Sequence, residues 1–325
     1  MFYSYILTET QLDSNSFPSW MTTVDNINIK TKSRLASIPN FKNSVLSKST
    51  SNDKIKDSAI SSQQDEQSGE NTDKYIVKIC KRCNRPFQIT SKSFIYSPSN
   101  SECVFHWGKL RSMRFNKTIE QKYSCCSGEL NSEGCETGKH VYDGDYDGNG
   151  EGMNISGYVE TTKNALFNDE LKSKSSSNIF ALDCEMCYTT KGLELARVSI
   201  VDVNLKEIYE SIVKPDYQIL DYNTRWSGLT EESLKNCKKN LKDVQNEILK
   251  LFNTDTILIG HSLDSDFKAL KLIHRTVIDT SVVFPHKMGP PLKRALRNLM
   301  SEHLQQTIQE DGKLRFCLDS EFNLT

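Results

Sequence analysis

Two acidic residues stand two positions apart at the end of an apolar segment, in the stretch FALDCEM at 180–186. The apolar start predicts a buried strand, in which successive side chains alternate between the two faces. Asp183 and Glu185 would therefore share one face, and Cys184 and Met186 the other. Two carboxylates held close together repel each other, and a divalent cation between them removes that repulsion. The spacing therefore predicts a metal site on this strand.

A third acidic residue follows a second apolar strand, in GHSLDSDFKAL at 260–270. Here Asp266 stands at the start of a predicted helix, and groups at strand ends and helix starts face a shared crevice in an open α/β sheet. We therefore expect Asp266 to lie near Asp183 and Glu185. Asp279, in VIDTS, is expected to be structural, and His261 to be a packed, hydrogen-bonded histidine.

The elements around these residues predict an α/β sheet, because three strands are followed by helices that alternate with strands. The predicted strands are IFALDCEM, LARVSIVDV, EIYESIVKP, TILIGHS and VIDTSVVFP. The predicted helices are TEESLKN, LKDVQNEILKLF, DSDFKALKLIH and LKRALRNLMSEHLQQTI.

Together, FALDCEM, GHSLDSDFKAL and VIDTSVVFP resemble the DEDD-type (DEDDh) 3′–5′ exonucleases, and LDCEMCYTTKGLELARVSIVD and VKPDYQILDYNTRWSGLT are similar to their RNA exonuclease 1 homologue branch. The resemblance covers about Ile179 to Gly312. It implies a ribonuclease-H-like mixed sheet flanked by helices. It also implies two-metal hydrolysis at the 3′ ends of single-stranded RNA, which releases nucleoside 5′-monophosphates. Asp183, Glu185 and Asp266 would be the catalytic residues and would hold two Mg²⁺ or Mn²⁺ ions.

The third motif of that family, a histidine and an aspartate separated by four residues, is not found here. The last histidine is His303, and Ile308 stands where the aspartate should be. Residues 313–325 do not resemble the last helix of the family. We therefore expect an incomplete exonuclease domain over 179–312, a divergent tail over 313–325, and impaired activity, since positioned acid–base catalysis contributes about 10²–10⁴-fold. The alternative is a non-catalytic nucleic-acid-binding protein.

Cysteines are crowded in the first half of the chain, where CKRC, CVFH, CC and two further Cys/His positions fall within 80–140. Pairs separated by two residues are typical of tetrahedral zinc sites, and disulfides are the alternative. We predict a zinc module over 74–140 that binds one ion or two. Since adjacent side chains point in different directions, Cys126 is expected to bind metal and Cys125 to pack. The predicted zinc ligands are Cys80, Cys83, Cys103, His106, Cys126, Cys135 and His140. The RNA exonuclease 1 homologues have a similar stretch before their nuclease domain.

Basic residues are concentrated in the same module, with eleven Lys or Arg against two acidic residues over 74–127, and aromatic residues lie between them. Basic side chains bind phosphate, and exposed aromatic rings stack on unpaired bases. We predict RNA binding through Lys109, Arg111 and Arg114. The alternative for the aromatic residues is a small core of the module itself. Arg225 is expected either to contact phosphate or to form a structural ion pair.

The remaining segments have the composition of connectors. Residues 1–73 are rich in Ser, Asn, Lys and Asp and are expected to be mostly disordered, with a linker over 141–178. No segment approaches the ~18 apolar residues of a membrane span, and no secretory signal is seen. A nuclear location is expected. The chain has neither GxGxxG nor GxxxxGK[ST], which argues against a nucleotide-binding enzyme. Cys184 and Cys187 are expected to be buried thiols.

Overall fold

The computed structural model describes residues 2–23, 26–30, 73–115, 118–144, 157–163 and 178–308. The predicted tail over 313–325 lies outside these residues, as do most of the predicted N-terminal disorder and most of the predicted linker.

Sixteen strands and seven α-helices are found in the described residues. The strands are β1 (Ser19–Thr23), β2 (Asn26–Lys30), β3 (Tyr75–Ile79), β4 (Pro86–Thr90), β5 (Cys103–Phe105), β6 (Leu110–Phe115), β7 (Thr118–Tyr123), β8 (Glu136–Gly138), β9 (Val159–Glu160), β10 (Ile179–Thr189), β11 (Gly192–Asp202), β12 (Glu207–Ile212), β13 (Ile219–Asp221), β14 (Ile257–Gly260), β15 (Leu272–Ile273) and β16 (Val277–Asp279). The helices are α1 (Glu9–Ser14), α2 (Thr224–Ser227), α3 (Glu231–Leu234), α4 (Leu241–Ile248), α5 (Leu263–Ala269), α6 (Thr280–Val283) and α7 (Leu296–Leu304).

A six-stranded sheet forms the centre of the larger half, in the order β12-β11-β10-β14-β16, with β13 paired to the far end of β10. β11 is antiparallel to both of its neighbours, whereas β14 and β16 run parallel to β10. Three antiparallel strands followed by parallel strands that are reached through helices form the ribonuclease-H-like sheet that the sequence predicts. The predicted fold class is confirmed.

Several element boundaries differ from the prediction. The helix predicted over DSDFKALKLIH ends at Ala269, and Leu272–Ile273 form strand β15 instead. VIDTSVVFP forms a strand only as far as Asp279, because the Asp279 side chain accepts the N–H of Ser281 at 2.8 Å and so caps helix α6. The helix predicted from Leu292 to Ile308 is shorter, and spans Leu296–Leu304.

The N-terminal segment packs into the core of the nuclease-like half, which corrects the prediction of disorder for residues 2–17. Helix α1 begins with a capping box between Thr8 and Gln11. Leu7, Leu12 and Phe17 are buried in the same apolar cluster as the central sheet. The N–H of Leu7 donates to the carbonyl of Val277 at 2.8 Å, which fastens the segment beside β16.

The Cys/His-rich module consists of three short antiparallel pairs, β3–β4, β5–β8 and β6–β7. Its core contains Phe87, Ile89 and Phe105. Some of the module's aromatic residues therefore form its own small core, which was the alternative to base stacking. Tyr142, in the predicted linker, belongs to this core as well, and its hydroxyl donates to the carbonyl of Thr190 at 3.1 Å. The described start of the predicted linker is therefore part of the module.

The module lies against the end of the sheet formed by β10 and β13. Arg82 forms an ion pair with Asp221 at 2.7 Å, and its guanidinium lies 5.3 Å from the ring centre of Tyr188. Phe94 meets Tyr217 edge to face, at 5.3 Å between ring centres. These contacts join the module directly to the nuclease-like half. Within the described residues, no helix has the length and apolar character needed to span a membrane.

Candidate active site and metal centres

Strand β10 holds Asp183 and Glu185 in the middle of the sheet, where both are partly buried. Asp183 is opposite Ser199 and Glu185 opposite Arg197 on β11, so the two carboxylates lie on one face, as predicted. Cys184 between them is buried on the other face, within the apolar core. The strand therefore presents two acidic side chains side by side without exposing its apolar face.

Asp266 comes to the same place from helix α5. The backbone N–H of Cys184 donates to Asp266 Oδ1 at 2.8 Å, which holds the buried carboxylate against β10 between the two acidic positions. Gly260 allows this approach, since a Cβ atom there would lie 2.8 Å from the carbonyl oxygen of Leu182 and 2.5 Å from a methyl carbon of Leu263. The glycine thus lets the start of α5 pack directly on β10.

Burial opposes the ionisation of all three carboxylates, and the charge of Asp183 opposes that of the other two. Burial raises the pKa of Asp183 to about 6. Burial, and then the charge of Asp183, raise the pKa of Glu185 to about 8, with Arg197 acting in the opposite direction. Burial, and then the charge of Asp183, also raise the pKa of Asp266 well above its usual value. A group of three partly or fully buried carboxylates with mutual repulsion has the donor chemistry that suits a hard divalent cation.

Two further buried aspartates fix the start of α5. Asp279 accepts the N–H groups of Ser262 at 2.9 Å and Leu263 at 3.1 Å, in addition to the N–H that caps α6. It is structural, as predicted. Asp264, which sequence reasoning missed, is 1% exposed and accepts from Lys293 Nζ at 2.9 Å. Its spacing from Lys268, four residues on and 3.4 Å away, was the signal that could have identified it.

The described histidines of this half make other contacts. His261 Nδ1 lies 2.9 Å from Thr280 Oγ1, and burial lowers the pKa of the imidazole. His274 is buried and donates from Nε2 to the carbonyl of Thr256 at 2.8 Å. The ring of His303 is tilted against that of Phe284, at 4.8 Å between ring centres, and His286 Nδ1 accepts the N–H of Met288 at 3.2 Å. Among the described residues, no histidine contact with the three carboxylates is seen.

Four predicted zinc ligands form a first cluster in the module: Cys80, Cys83, Cys103 and His140. Their candidate ligand atoms all lie within 4.8 Å of one another. Cys80 Sγ is 3.6 Å from Cys103 Sγ, and Cys83 Sγ is 3.2 Å from His140 Nδ1. Burial opposes ionisation of Cys80, but nearby backbone N–H groups, that of Cys83 first, lower its pKa to about 6. The cluster offers the three sulfurs and one nitrogen of a tetrahedral zinc site.

His106, Cys125, Cys126 and Cys135 form a second cluster, with the same 4.8 Å limit between ligand atoms. His106 Nδ1 is 3.4 Å from Cys126 Sγ and 3.6 Å from Cys125 Sγ. The other ring nitrogen, Nε2, is 3.2 Å from the carbonyl oxygen of Ser132, an arrangement that leaves Nδ1 free for a metal. The prediction that Cys125 packs away from the metal site is therefore wrong. The structure also separates Cys103 from His106, which belong to different clusters.

The predicted nucleic-acid-binding residues lie in two places. Lys109 lines a cleft of about 1300 Å³ between the module and the nuclease-like half. Arg111 and Arg114 are exposed on β6, in the hairpin with β7. Arg225 forms an ion pair with Glu136 at 2.7 Å, which favours the structural alternative, and its guanidinium lies 4.0 Å from the ring centre of Trp107.

Cys184 and Cys187 are buried, as predicted. Burial raises the pKa of both thiols, that of Cys187 to about 12. Neither is a ready thiolate at neutral pH.

No protein-family model matches the chain. The human RNA exonuclease 1 homolog is 46% identical over 235 residues, which are 72% of this chain and 18% of the human protein. RNA exonuclease 1 of Saccharomyces cerevisiae is 49% identical over 134 residues, which are 41% of this chain and 24% of the yeast protein. RNA exonuclease 3 of Candida albicans is 32% identical over 253 residues, 75% of this chain and 56% of that protein.

The chain is similar to these RNA exonucleases over 41% to 75% of its length. It spans only part of the length of these relatives, between 18% and 56%. Among solved structures, the Neurospora crassa Pan2 catalytic unit, with protease and nuclease domains, is similar at 24% identity and a TM-score of 0.39, over 49% of this chain and 27% of that one.

Proposed function

We propose that the chain is a 3′–5′ exonuclease of RNA that hydrolyses phosphodiester bonds with two divalent cations and releases nucleoside 5′-monophosphates. The observation that carries the proposal is the convergence of Asp183, Glu185 and Asp266, three carboxylates whose pKa values are raised by burial and, for Glu185 and Asp266, also by the charge of Asp183. The similarity to proteins named RNA exonuclease supports the choice of RNA as substrate.

The three carboxylates would hold Mg²⁺ or Mn²⁺, which, when bound, supplies an activated water and neutralises charge on the leaving 3′-oxygen. Strand β10 gives Asp183 and Glu185 a fixed separation, and the N–H of Cys184 fixes the orientation of Asp266. Arg197, opposite Glu185, favours the ionised form of that carboxylate. The protein's contribution is a rigid set of oxygen donors in a partly dry site, and this is the condition for precise positioning of a scissile phosphate.

We also propose that both Cys/His clusters bind zinc and that the ions are structural. Each cluster has four ligands and no open position, which is the arrangement of structural rather than catalytic zinc. The predicted nuclear location stays a prediction.

A second candidate function is RNA binding without hydrolysis. It is favoured by the contacts of the four described histidines of this half, none of which is with the three carboxylates: His261, His274, His286 and His303. Both candidate functions involve RNA, and they differ in whether the RNA is hydrolysed.

The experiment that separates them uses this chain with 5′-labelled single-stranded RNA and Mg²⁺ or Mn²⁺, beside the Asp183→Asn variant. A ladder that shortens from the 3′ end with the wild-type chain alone would support the exonuclease, and its mononucleotide product can be identified by chromatography. RNA that is bound but left intact would support the binding function and reject the first proposal for this chain.

A further inference from the structure

The cleft between the module and the nuclease-like half has a basic lining. Five cationic side chains and two carboxylates line it. The two carboxylates, Asp221 and Glu136, are both engaged by arginines of the lining. Lys109 and Arg297 have no ion-pair partner among the residues that the structure describes. These two cationic side chains are therefore available to an anionic ligand.

Two tryptophans face each other across this cleft, one from each half. Trp107, from the module, and Trp226, from α2, meet edge to face, with ring centres 6.2 Å apart. They remain 36% and 45% exposed, so parts of both indole rings are open to solvent. The contacts of Arg82, Phe94 and Tyr142 already join the module to the sheet, so the tryptophans are not needed to attach it.

Residues close in sequence connect the cleft lining with the carboxylate site in two places. Cys187, two residues beyond Glu185 on the same strand, packs in one apolar cluster with Leu229, which closely follows Trp226 and α2. On the other side, Arg297 in α7 lies four residues after Lys293, which pairs with Asp264 at the start of α5. Tyr188, three residues after Glu185 on β10, lines the cleft, so this strand connects the two places.

We propose that this cleft binds the single-stranded RNA that lies upstream of the 3′-terminal nucleotide, with Trp107 and Trp226 stacking on its bases and Lys109 and Arg297 contacting its phosphates. The proposal rests on the proposed function for the choice of RNA. Stacking on indole rings requires unpaired bases, so the cleft favours single strands over duplexes.

The test uses the full chain without added Mg²⁺ and measures its affinity for a fluorescent ten-nucleotide oligo(A) by anisotropy. Trp107→Ala and Trp226→Ala should each weaken binding about tenfold, the loss expected for one stacked base. Lys109→Glu and Arg297→Glu should also weaken binding, and more strongly at low salt. A blunt RNA duplex should bind with the same low affinity to the wild-type chain and to both tryptophan variants. Trp20→Phe, which leaves the described lining of the cleft unchanged, is the matched control.

Tryptophan fluorescence provides a second measurement that a purely structural role would not change. The chain has three tryptophans, and two of them line the cleft. Oligo(A) should quench the emission of the wild-type chain and of Trp20→Phe, whereas the folded double variant W107F/W226F, which reports from Trp20 alone, should show no quenching.

Unchanged oligo(A) affinity in both alanine variants would overturn the proposal, even if the wild-type chain shortens RNA and the proposed function stands. Persistent quenching in the double variant would overturn it as well. A wild-type chain that neither binds nor shortens oligo(A) would reject both the cleft proposal and the proposed function. An unchanged RNA affinity with loss of a protein partner would assign the cleft to protein binding instead.

Discussion

Replacing Asp183 by Asn should make the chain more stable without Mg²⁺ and, at the same time, remove its stabilisation by Mg²⁺. The pKa of Asp183 in the folded chain is about 6, against a usual value of 3.8. As the pH rises, Asp183 therefore loses its proton in the unfolded state first. In the folded state its ionisation is unfavourable, so the folded state loses stability relative to the unfolded state. This cost begins near the usual pKa and is complete above the folded-state pKa.

The magnitude follows from the two pKa values, at about 1.4 kcal/mol for each pKa unit. The rise from 3.8 to about 6 corresponds to about 3 kcal/mol of stability lost above pH 6. An asparagine at this position keeps a carbonyl oxygen as acceptor and carries no charge. It also removes the repulsion that the charge of Asp183 exerts on Glu185 and Asp266. We therefore expect a gain of about 3 kcal/mol, or roughly 6–12 °C in Tm, at pH 8 without Mg²⁺.

The assay is thermal unfolding at pH 4 and pH 8, with and without millimolar Mg²⁺. The gain of the variant should shrink toward pH 4, and Mg²⁺ should raise the Tm of the wild-type chain only. Asp202→Asn is the matched control, because the buried Asp202 carboxylate accepts N–H groups of Asn204 at 2.8 Å and Lys206 at 3.0 Å, so its replacement should bring no gain. An Asp183→Asn chain that is less stable than wild type at pH 8, or that is still stabilised by Mg²⁺, would refute the reasoning.

Three further predictions concern stability and metal content. Leu12→Ala should lower the free energy of unfolding by about 2–5 kcal/mol in denaturant titrations, because Leu12 is 0% exposed. Leu205→Ala, at a residue that is 63% exposed, should change it little. Equal effects of the two substitutions would mean that the N-terminal segment is not part of the core. Elemental analysis should find two zinc ions per chain and one in Cys103→Ser or Cys135→Ser, and loss of both ions in either variant would contradict two separate clusters. Asp279→Ala, which leaves backbone N–H groups at the start of α5 without their acceptor, should weaken Mg²⁺ binding in titration calorimetry, and an unchanged affinity would show that α5 is held by other contacts.

The sheet and its carboxylates are predictable from the sequence because their signals are local. Strand alternation alone assigns Asp183 and Glu185 to one face, and the apolar strand before Gly260 places Asp266 at a helix start. The N-terminal segment is different, because Leu7 and Phe17 have their partners near Val277 and Phe267, more than two hundred residues away. Composition describes such a segment only by its average polarity, so its docking could not be predicted.

The zinc ligands show why spacing alone is not enough. Cys80 and Cys83 are separated by a tight turn, so both reach one cluster. Cys103 and His106 have the same spacing, but Cys103 begins strand β5, and three residues of extended chain cover about 10 Å. They therefore reach different clusters, and the place left in the second cluster is taken by Cys125.

The arrangement of the second cluster links zinc to the proposed RNA cleft. Trp107 directly follows the ligand His106, and a Cβ atom on Gly108 would lie 2.4 Å from the backbone nitrogen of Cys125. The segment that carries the tryptophan is therefore fixed from both sides by ligand residues. A small module without a large core needs such a constraint to hold an exposed side chain in one position. In this arrangement, a zinc ion that never meets the substrate would determine where Trp107 stands opposite Trp226, and hence where the RNA strand enters the carboxylate site.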